Sequence, residues 1–119
     1  MHSQLETLLE IQDLKTQRAD LLEQSESRGF EEEVFNISAD EALQQLDEKI
    51  EEMEESLEAG IHSRYRRLAG SRGRFVVPVI NGTCFGCFVS IPTAVASEAE
   101  RNEVIRFCDN CGRFLYLVG

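Results

Sequence analysis

Apolar residues in the first part of the chain recur every three to four positions, with charged and amide side chains between them. The repeat contains Leu5, Leu8, Leu9, Ile11, Leu14, Leu21 and Leu22. One face of an α-helix produces this spacing, so the pattern predicts an amphipathic helix over about residues 3–24. Residues 25–37 break the repeat and contain Gly29 and a run of glutamates, which predicts a loop.

A second apolar repeat begins after a helix-start signal at Ser38. Ser38 and Glu41 have the spacing of a capping box, in which each side chain satisfies a backbone N–H of the first turn. The following apolar residues alternate three and four apart, as in a coiled-coil seam: Leu43, Leu46, Ile50, Met53 and Leu57. The stripe then continues with a shifted phase, as a stutter would, through Ile61, Tyr65 and Leu68. We therefore expect one long second helix that ends near Gly70 and forms an antiparallel hairpin with the first.

Short β-branched and aromatic runs replace the helical pattern after Gly70. They predict strands at residues 75–80, 104–107 and 114–118, and a short helix at residues 92–99 that has proline in its first turn. Asn81-Gly82 is a dipeptide typical of tight hairpin turns. Pro78 cannot donate a ladder hydrogen bond, so we expect the first strand to lie at a sheet edge or to bend there. The predicted fold class is α+β, with a helical hairpin over residues 1–70 and a small β domain over residues 71–119.

Charge is distributed very unevenly between the two halves of the chain. Residues 1–60 carry four basic and eighteen acidic residues, a net charge of −14, whereas residues 61–119 carry eight arginines and four acids, a net charge of +4. Phosphate contacts dominate affinity for nucleic acids, so the acidic half is a poor partner for them and the basic half remains a candidate.

Four cysteines in two C-x-x-C pairs carry the most specific chemistry of the chain. The pairs are Cys84 with Cys87 and Cys108 with Cys111, separated by twenty residues. Two such pairs supply four thiolates for one tetrahedral Zn²⁺, and a site closed by four sulfurs is structural rather than catalytic. Gly86 and Gly112 would let knuckle amides face the sulfurs. Arg106 and Arg113 flank the second pair and either offset its negative charge or lie in solvent.

The cysteines could also form disulfides, take part in redox chemistry or bind iron. No apolar run approaches the length of a membrane span, and the N-terminal sequence lacks the pattern of a signal peptide, so we expect a cytoplasmic protein without membrane contact. In a reducing cytosol, paired C-x-x-C spacing favours metal over disulfide or redox use. Iron in a four-cysteine site remains an alternative. Neither histidine, His2 or His62, is near the cysteines in sequence, and we expect no enzymatic activity.

Two C-terminal segments resemble the bacterial C4-type zinc ribbon family. These are residues 77–92, which contain Cys-Phe-Gly-Cys, and residues 107–116, which read Phe-Cys-Asp-Asn-Cys-Gly-Arg-Phe-Leu-Tyr. Residues 8–14 also resemble the start of the coiled-coil hairpin that the family joins to its ribbon. The resemblance implies that Cys84, Cys87, Cys108 and Cys111 are the zinc ligands. It also implies a nucleic-acid-binding or protein-binding adaptor without known enzymatic activity. The hairpin here is shorter than is usual in the family, and Phe88 stands where many relatives have histidine.

Two binding functions follow from these observations. The first is a protein–protein adaptor whose acidic hairpin docks on a basic partner, with the transcription machinery as the partner that fold analogy suggests and a link to transcription or RNA regulation. The second is direct nucleic-acid binding through a basic junction made of Arg64, Arg66, Arg67, Arg72 and Arg74, although such cations also offset a helix dipole. Five aromatic residues near the knuckles form either a stacking platform or a small core: Phe85, Phe88, Phe107, Phe114 and Tyr116. Uncovered residues of the long second helix would pack on the ribbon or form a homodimer.

Overall fold

A computed structural model describes residues 1–27, 32–70, 74–93 and 102–118 of the chain. Its described residues form three helices followed by a small four-stranded sheet, which confirms the predicted α+β class. The helices are α1 (Ser3–Ser27), α2 (Glu32–Glu55) and α3 (Ala59–Ala69), and the strands are β1 (Val76–Ile80), β2 (Thr83–Cys84), β3 (Arg106–Phe107) and β4 (Phe114–Leu117). Among the described helices, no stretch combines the length and the apolar character that a bilayer crossing requires.

The first helix agrees with its prediction, but the second helix begins six residues before the predicted start. α2 begins at Glu32, so Ser38 lies inside the helix, and the predicted loop is wrong for residues 25–27 and 32–37, which are helical. The remaining part of that prediction, residues 28–31, lies outside the described residues. Glutamate has high helix propensity, so a helix that begins at Glu32 is compatible with the local sequence.

The predicted long second helix is interrupted between Glu55 and Ala59, and the expected stutter is a break. Both the backbone N–H and the side-chain Oγ of Ser56 donate to the carbonyl of Met53, at 3.1 and 2.7 Å, which ends α2. Glu58 then has extended backbone angles, with φ −64° and ψ 150°, and precedes the first turn of α3. Periodicity alone missed this break because apolar residues continue at helical spacing on both sides of it.

The chain divides into two compact units. The helical unit is Glu10–Ser56, and the sheet unit combines Met1–Leu9 with Leu57–Gly119. In the helical unit, α1 and α2 lie side by side, and the Nε of Arg18 donates to Asp47 at 2.5 Å. The antiparallel direction of the two helices stays a prediction, because residues 28–31, which connect them, lie outside the described residues. The coiled-coil seam and the domain boundary at residue 70 stay predictions.

The sheet has the order β2-β1-β4-β3, with β1 parallel to β4 and the outer pairs antiparallel. Asn81 and Gly82 have φ of 53° and 73°, so the predicted tight turn between β1 and β2 is confirmed. We expected β1 to lie at an edge or to bend at Pro78, and the edge position is wrong because β1 lies between β2 and β4. Carbonyls of Phe75 and Val79 accept bonds from the β4 side, so the Pro78 backbone faces β2, where its carbonyl accepts from Phe85. The proline ring therefore costs β1 no bond to β4.

Aromatic packing joins α3 to the sheet within the sheet unit. Tyr65 is 1% exposed, and its ring meets that of Phe75 edge-on at a centroid distance of 4.9 Å. Such an edge-to-face pair contributes about 0.5–1.5 kcal/mol beyond the burial of its area. Tyr65 is thus buried by contacts within its own chain. This agrees with one of the two predicted alternatives, packing on the ribbon. A homodimer through the second helix stays a prediction.

The side chain of Asn102 bonds to the backbone of Leu117, at the end of β4, as a neighbouring strand would. Its amide nitrogen donates to the carbonyl of Leu117 at 3.0 Å, and its amide oxygen accepts from the N–H of Leu117 at 2.7 Å. Its backbone takes φ +62°, a region that asparagine enters more readily than most residues. The segment just before it, residues 94–101, lies outside the described residues, as does most of the predicted short helix at 92–99.

We predict that Asn102→Ala lowers the free energy of unfolding of the zinc-loaded chain by about 1–3 kcal/mol, because two backbone groups of Leu117 lose their partners. Chemical denaturation of the full chain measures this. Asn102→Gly is the matched control, because glycine tolerates the positive φ and lacks only the amide. If Asn102→Gly is as stable as the wild type, the side-chain clamp contributes nothing.

Candidate metal centre

The fold brings the four cysteine sulfurs to one point. Cys84 ends β2, Cys108 directly follows β3, and Cys87 and Cys111 lie three residues further along the chain in each case. All four Sγ atoms lie within 4.8 Å of one another, and all four cysteines are free thiols. Cys84 and Cys108 are buried, whereas Cys87 and Cys111 are half-buried.

The distances between sulfurs fit zinc. Sγ of Cys84 lies 3.8 Å from that of Cys111, and Sγ of Cys87 lies 3.7 Å from that of Cys108. A regular tetrahedron with Zn–S bonds of about 2.3 Å has edges of about 3.8 Å. The four cysteines are therefore positioned to bind one Zn²⁺ ion as a closed set of thiolates, as predicted.

The two knuckles share one pattern of backbone hydrogen bonds. Phe88 N–H donates to the carbonyl of Cys84 at 2.7 Å, and Gly112 N–H donates to that of Cys108 at 2.8 Å. Five residues after each first cysteine, a carbonyl accepts the N–H of that cysteine: Val89 at 3.0 Å and Arg113 at 2.9 Å. Position 88 is thus the structural equivalent of position 112, and both have positive φ, at 61° and 77°.

Glycine has a different role in each knuckle. Gly112 has φ +77°, so it supplies the backbone freedom that was predicted. Gly86 donates its N–H to Cys84 Sγ at 3.4 Å, but its φ lies outside the left-handed region. A Cβ at Gly86 would lie 2.9 Å from Nη1 of Arg113 and 3.2 Å from Cγ2 of Val77, so this glycine supplies space.

The cysteine thiols differ in acidity. Burial raises the pKa of the Cys84 thiol to about 12 and also raises the pKa of Cys108. A hydrogen bond with the side chain of Asn110 lowers the pKa of Cys87 to about 6. Zinc must therefore displace protons from the buried thiols, and its own charge makes this favourable.

Arginines of the predicted basic junction lie in different environments. Arg64 is half-buried: its guanidinium carbon is 3.6 Å from the centroid of the Phe107 ring, and its Nη1 donates to the carbonyl of Gly112 at 3.2 Å. Arg66 and Arg67, in the last turn of α3, and Arg74 are exposed. Arg72 lies outside the described residues. Arg64 thus stabilises the second knuckle through these contacts. Nucleic-acid binding by the five arginines of the basic junction stays a prediction.

Aromatic residues near the knuckles divide between core and surface. Phe114 is buried, whereas Phe85, Phe88 and Phe107 are 43%, 70% and 45% exposed. The rings of Phe85 and Phe88 contact each other with centroids 5.5 Å apart. The sequence could not decide between a small core and a stacking platform, because the same aromatic residue types occur in both. Phe88 is conspicuous, since a positive φ is costly for a bulky residue and its equivalent in the second knuckle is glycine.

Two matching knuckles that hold four thiolates beside a small sheet define a zinc ribbon with a structural metal site. The family model of the C4-type zinc ribbon domain matches residues 83–115, so this part of the chain is a C4-type zinc ribbon and the predicted resemblance is confirmed for the ribbon. The resemblance of residues 8–14 to the family's hairpin stays a prediction. Domains of this type are typically structural rather than catalytic.

Two solved structures share the fold over most of this chain. The HP0958 protein of Helicobacter pylori is 26% identical with a TM-score of 0.64, over 90% of this chain and 46% of that one. CT398 of Chlamydia trachomatis is 23% identical with a TM-score of 0.55, over 79% of this chain and 42% of that one. The chain thus spans less than half the length of either. No curated protein sequence gives a significant match.

We predict that the purified chain binds one Zn²⁺ and that a strong chelator unfolds the ribbon while much of the helical signal survives. Structural zinc contributes on the order of 10–16 kcal/mol of apparent folding free energy in small finger peptides, and a ribbon of this size buries little apolar surface. Metal analysis and far-UV circular dichroism with and without chelator measure this. A ribbon that keeps its structure after verified metal loss would contradict the prediction, and a coloured protein would indicate iron.

We predict that substitutions at the equivalent positions 88 and 112 of the two knuckles differ in their effect on stability. Gly112→Ala should lower the free energy of unfolding of the zinc-loaded chain by about 1–2 kcal/mol, because alanine resists φ +77°. Phe88→Gly should leave it unchanged or raise it by up to about 1 kcal/mol, because glycine tolerates φ +61° and little packing is lost. Thermal unfolding of both variants measures the contrast. A marked loss of stability in Phe88→Gly would show that Phe88 is structural.

Proposed function

We propose that this chain is a non-enzymatic adaptor. Its structural zinc ribbon stabilises the sheet unit, and an acidic helix face in the helical unit docks on a basic surface of a partner protein. The four thiolates fill the tetrahedral coordination of zinc, which leaves no position for water or substrate and argues against catalysis at the metal. Binding is then the function that remains for the exposed surfaces.

An exposed acidic face on α2 carries this proposal. Glu48, Glu51, Glu52 and Glu55 are all exposed, and their spacing places them on one side of the helix. Lys49 reaches Glu52 only at 3.9 Å, with both side chains at least half exposed, so this pair neutralises little. Like charges at helical spacing destabilise a helix, and a basic partner would relieve this repulsion and accelerate association.

The first knuckle, in the sheet unit, offers a separate apolar surface for protein recognition. Phe88 occupies a backbone position that glycine fills in the other knuckle, and it exposes 70% of its surface. A phenylalanine there gains little from packing within its own chain, so we attribute it to recognition. Aromatic side chains are enriched among the residues that dominate protein–protein binding energy.

Direct nucleic-acid binding is the second candidate, favoured by the exposed Arg66 and Arg67. Arginine suits both phosphate contacts and stacking on bases. Against it, Arg64 is already committed to Phe107 and to Gly112, which reduces the basic surface. A role in transcription or RNA regulation, with the transcription machinery as partner, rests on fold analogy.

We predict that crosslinking in native cells captures a protein through the acidic face of α2, and that nuclease treatment does not remove it. Replacing Glu48, Glu51, Glu52 and Glu55 with glutamine should abolish this crosslink, because the charge that attracts the basic partner is gone. Phe88→Gly should weaken the same crosslink while the zinc content stays at one ion. Mass spectrometry of the crosslinked peptides, with binding to the identified partner measured at several salt concentrations, tests this.

Arg66→Glu with Arg67→Glu is the matched charge control. Retention of the partner by this variant supports the adaptor. If instead nuclease removes the captured material and the arginine variant loses nucleic acid in a salt-dependent shift assay, the chain is a nucleic-acid-binding protein. Crosslinks solely between two copies of this chain would identify a homodimer and contradict the proposed partner.

A further inference from the structure

Arg113 contacts both knuckles of the zinc ribbon. Its carbonyl accepts the N–H of Cys108 at 2.9 Å, which closes the second knuckle. Its side chain runs to the first knuckle, where the guanidinium occupies the space left by the missing side chain of Gly86. Its Nε donates to the carbonyl of Arg74 at 3.0 Å, so the side chain is held in place.

The charge of Arg113 is buried without full compensation. The residue is 7% exposed, and among the described residues no hydrogen-bond acceptor reaches its Nη1. A buried unpartnered donor on a charged group is costly, and arginine cannot lose its proton to escape that cost. A negative charge nearby would remove the penalty.

A zinc ion bound by four thiolates supplies such a charge. Four thiolates and Zn²⁺ carry a net charge of −2, which surrounding N–H groups and cations must balance. Gly86 donates its N–H to Cys84 Sγ and also packs against the Arg113 guanidinium, so a single residue separates this cation from a zinc ligand.

We infer that Arg113 is the counter-cation of the zinc centre and positions the first knuckle through Gly86. The positive charge of Arg113 and the net negative charge of the zinc centre offset each other. The buried arginine therefore stabilises the zinc-bound, four-thiolate form of the ribbon. This role is independent of the proposed adaptor function. It also distinguishes Arg113 from Arg106, which flanks the second cysteine pair from the other side and is only half-buried.

The test measures the apparent zinc affinity of the full chain by competition with a chelator of known affinity. Arg113→Met should weaken zinc binding about 10- to 100-fold, the usual loss when an outer-shell partner of a metal site is removed. Arg113→Lys keeps the charge and should retain affinity within about threefold, and the matched control Arg106→Met should also stay within about threefold. Equal losses in Arg113→Met and Arg106→Met would overturn the assignment.

A change of ligand charge separates charge balance from packing. Cys111→His lowers the negative charge of the centre by one and keeps a Cys₃His set that binds zinc. In that background Arg113→Met should weaken zinc binding by a clearly smaller factor. The same factor in both backgrounds would show that Arg113 acts through packing alone.

Cobalt gives a readout that does not depend on the Cys111→His variant. In the Co²⁺-substituted chain, Arg113→Met should move the sulfur-to-cobalt charge-transfer band to longer wavelength, because the thiolates lose the cation that stabilises their electrons. Arg106→Met should leave the band in place. An unmoved band in Arg113→Met would overturn the assignment.

Discussion

The tetrahedral demand of one metal ion for four sulfurs is the constraint on which the sheet unit depends. The strands are two to five residues long, too short to bury much apolar surface. Cys84 and Cys108 are themselves members of the buried cluster that includes Val77, Val79 and Leu115, and the other two cysteines pack against it. The metal site is therefore part of the core, and two of the four ligands, Cys84 and Cys108, lie at strand ends.

The two knuckles share one backbone hydrogen-bond pattern, but their side chains at equivalent positions differ in environment. At the first equivalent position Phe88 faces solvent, whereas Gly112 has no side chain and its carbonyl receives Arg64. At the next position Val89 is exposed, whereas Arg113 is buried and reaches across to the first knuckle. The second knuckle is thus joined to the rest of the sheet unit by arginines, and the first presents apolar side chains outward. The proposed recognition role of the first knuckle depends on this asymmetry.

Local patterns predicted the parts of the fold that local chemistry determines. The cysteine spacing, the Asn81-Gly82 turn and the first helix depend on neighbours in sequence, so they could be predicted from it. The break at Ser56 could not, because the apolar spacing continues through it and the turn depends on how one serine bonds. The edge position expected for the strand that contains Pro78 was wrong. An internal strand tolerates proline when the proline backbone faces away from the strand that needs the hydrogen bond, and the sequence does not show which side of β1 faces β4. Asn102 gave no signal, since its partner Leu117 lies fifteen residues away.

The zinc centre also changes how the charge of the chain should be interpreted. Residues 61–119 carry a net charge of +4, but four thiolates and one Zn²⁺ contribute about −2 there. Arg113 is buried, and Arg64 is committed to an aromatic ring and a carbonyl. The positive charge available to a polyanion is therefore smaller than the sequence indicates, whereas the glutamates on the acidic face of α2 stay exposed. This charge distribution, with the metal counted, is the electrostatic reason for proposing a basic protein partner before a nucleic acid.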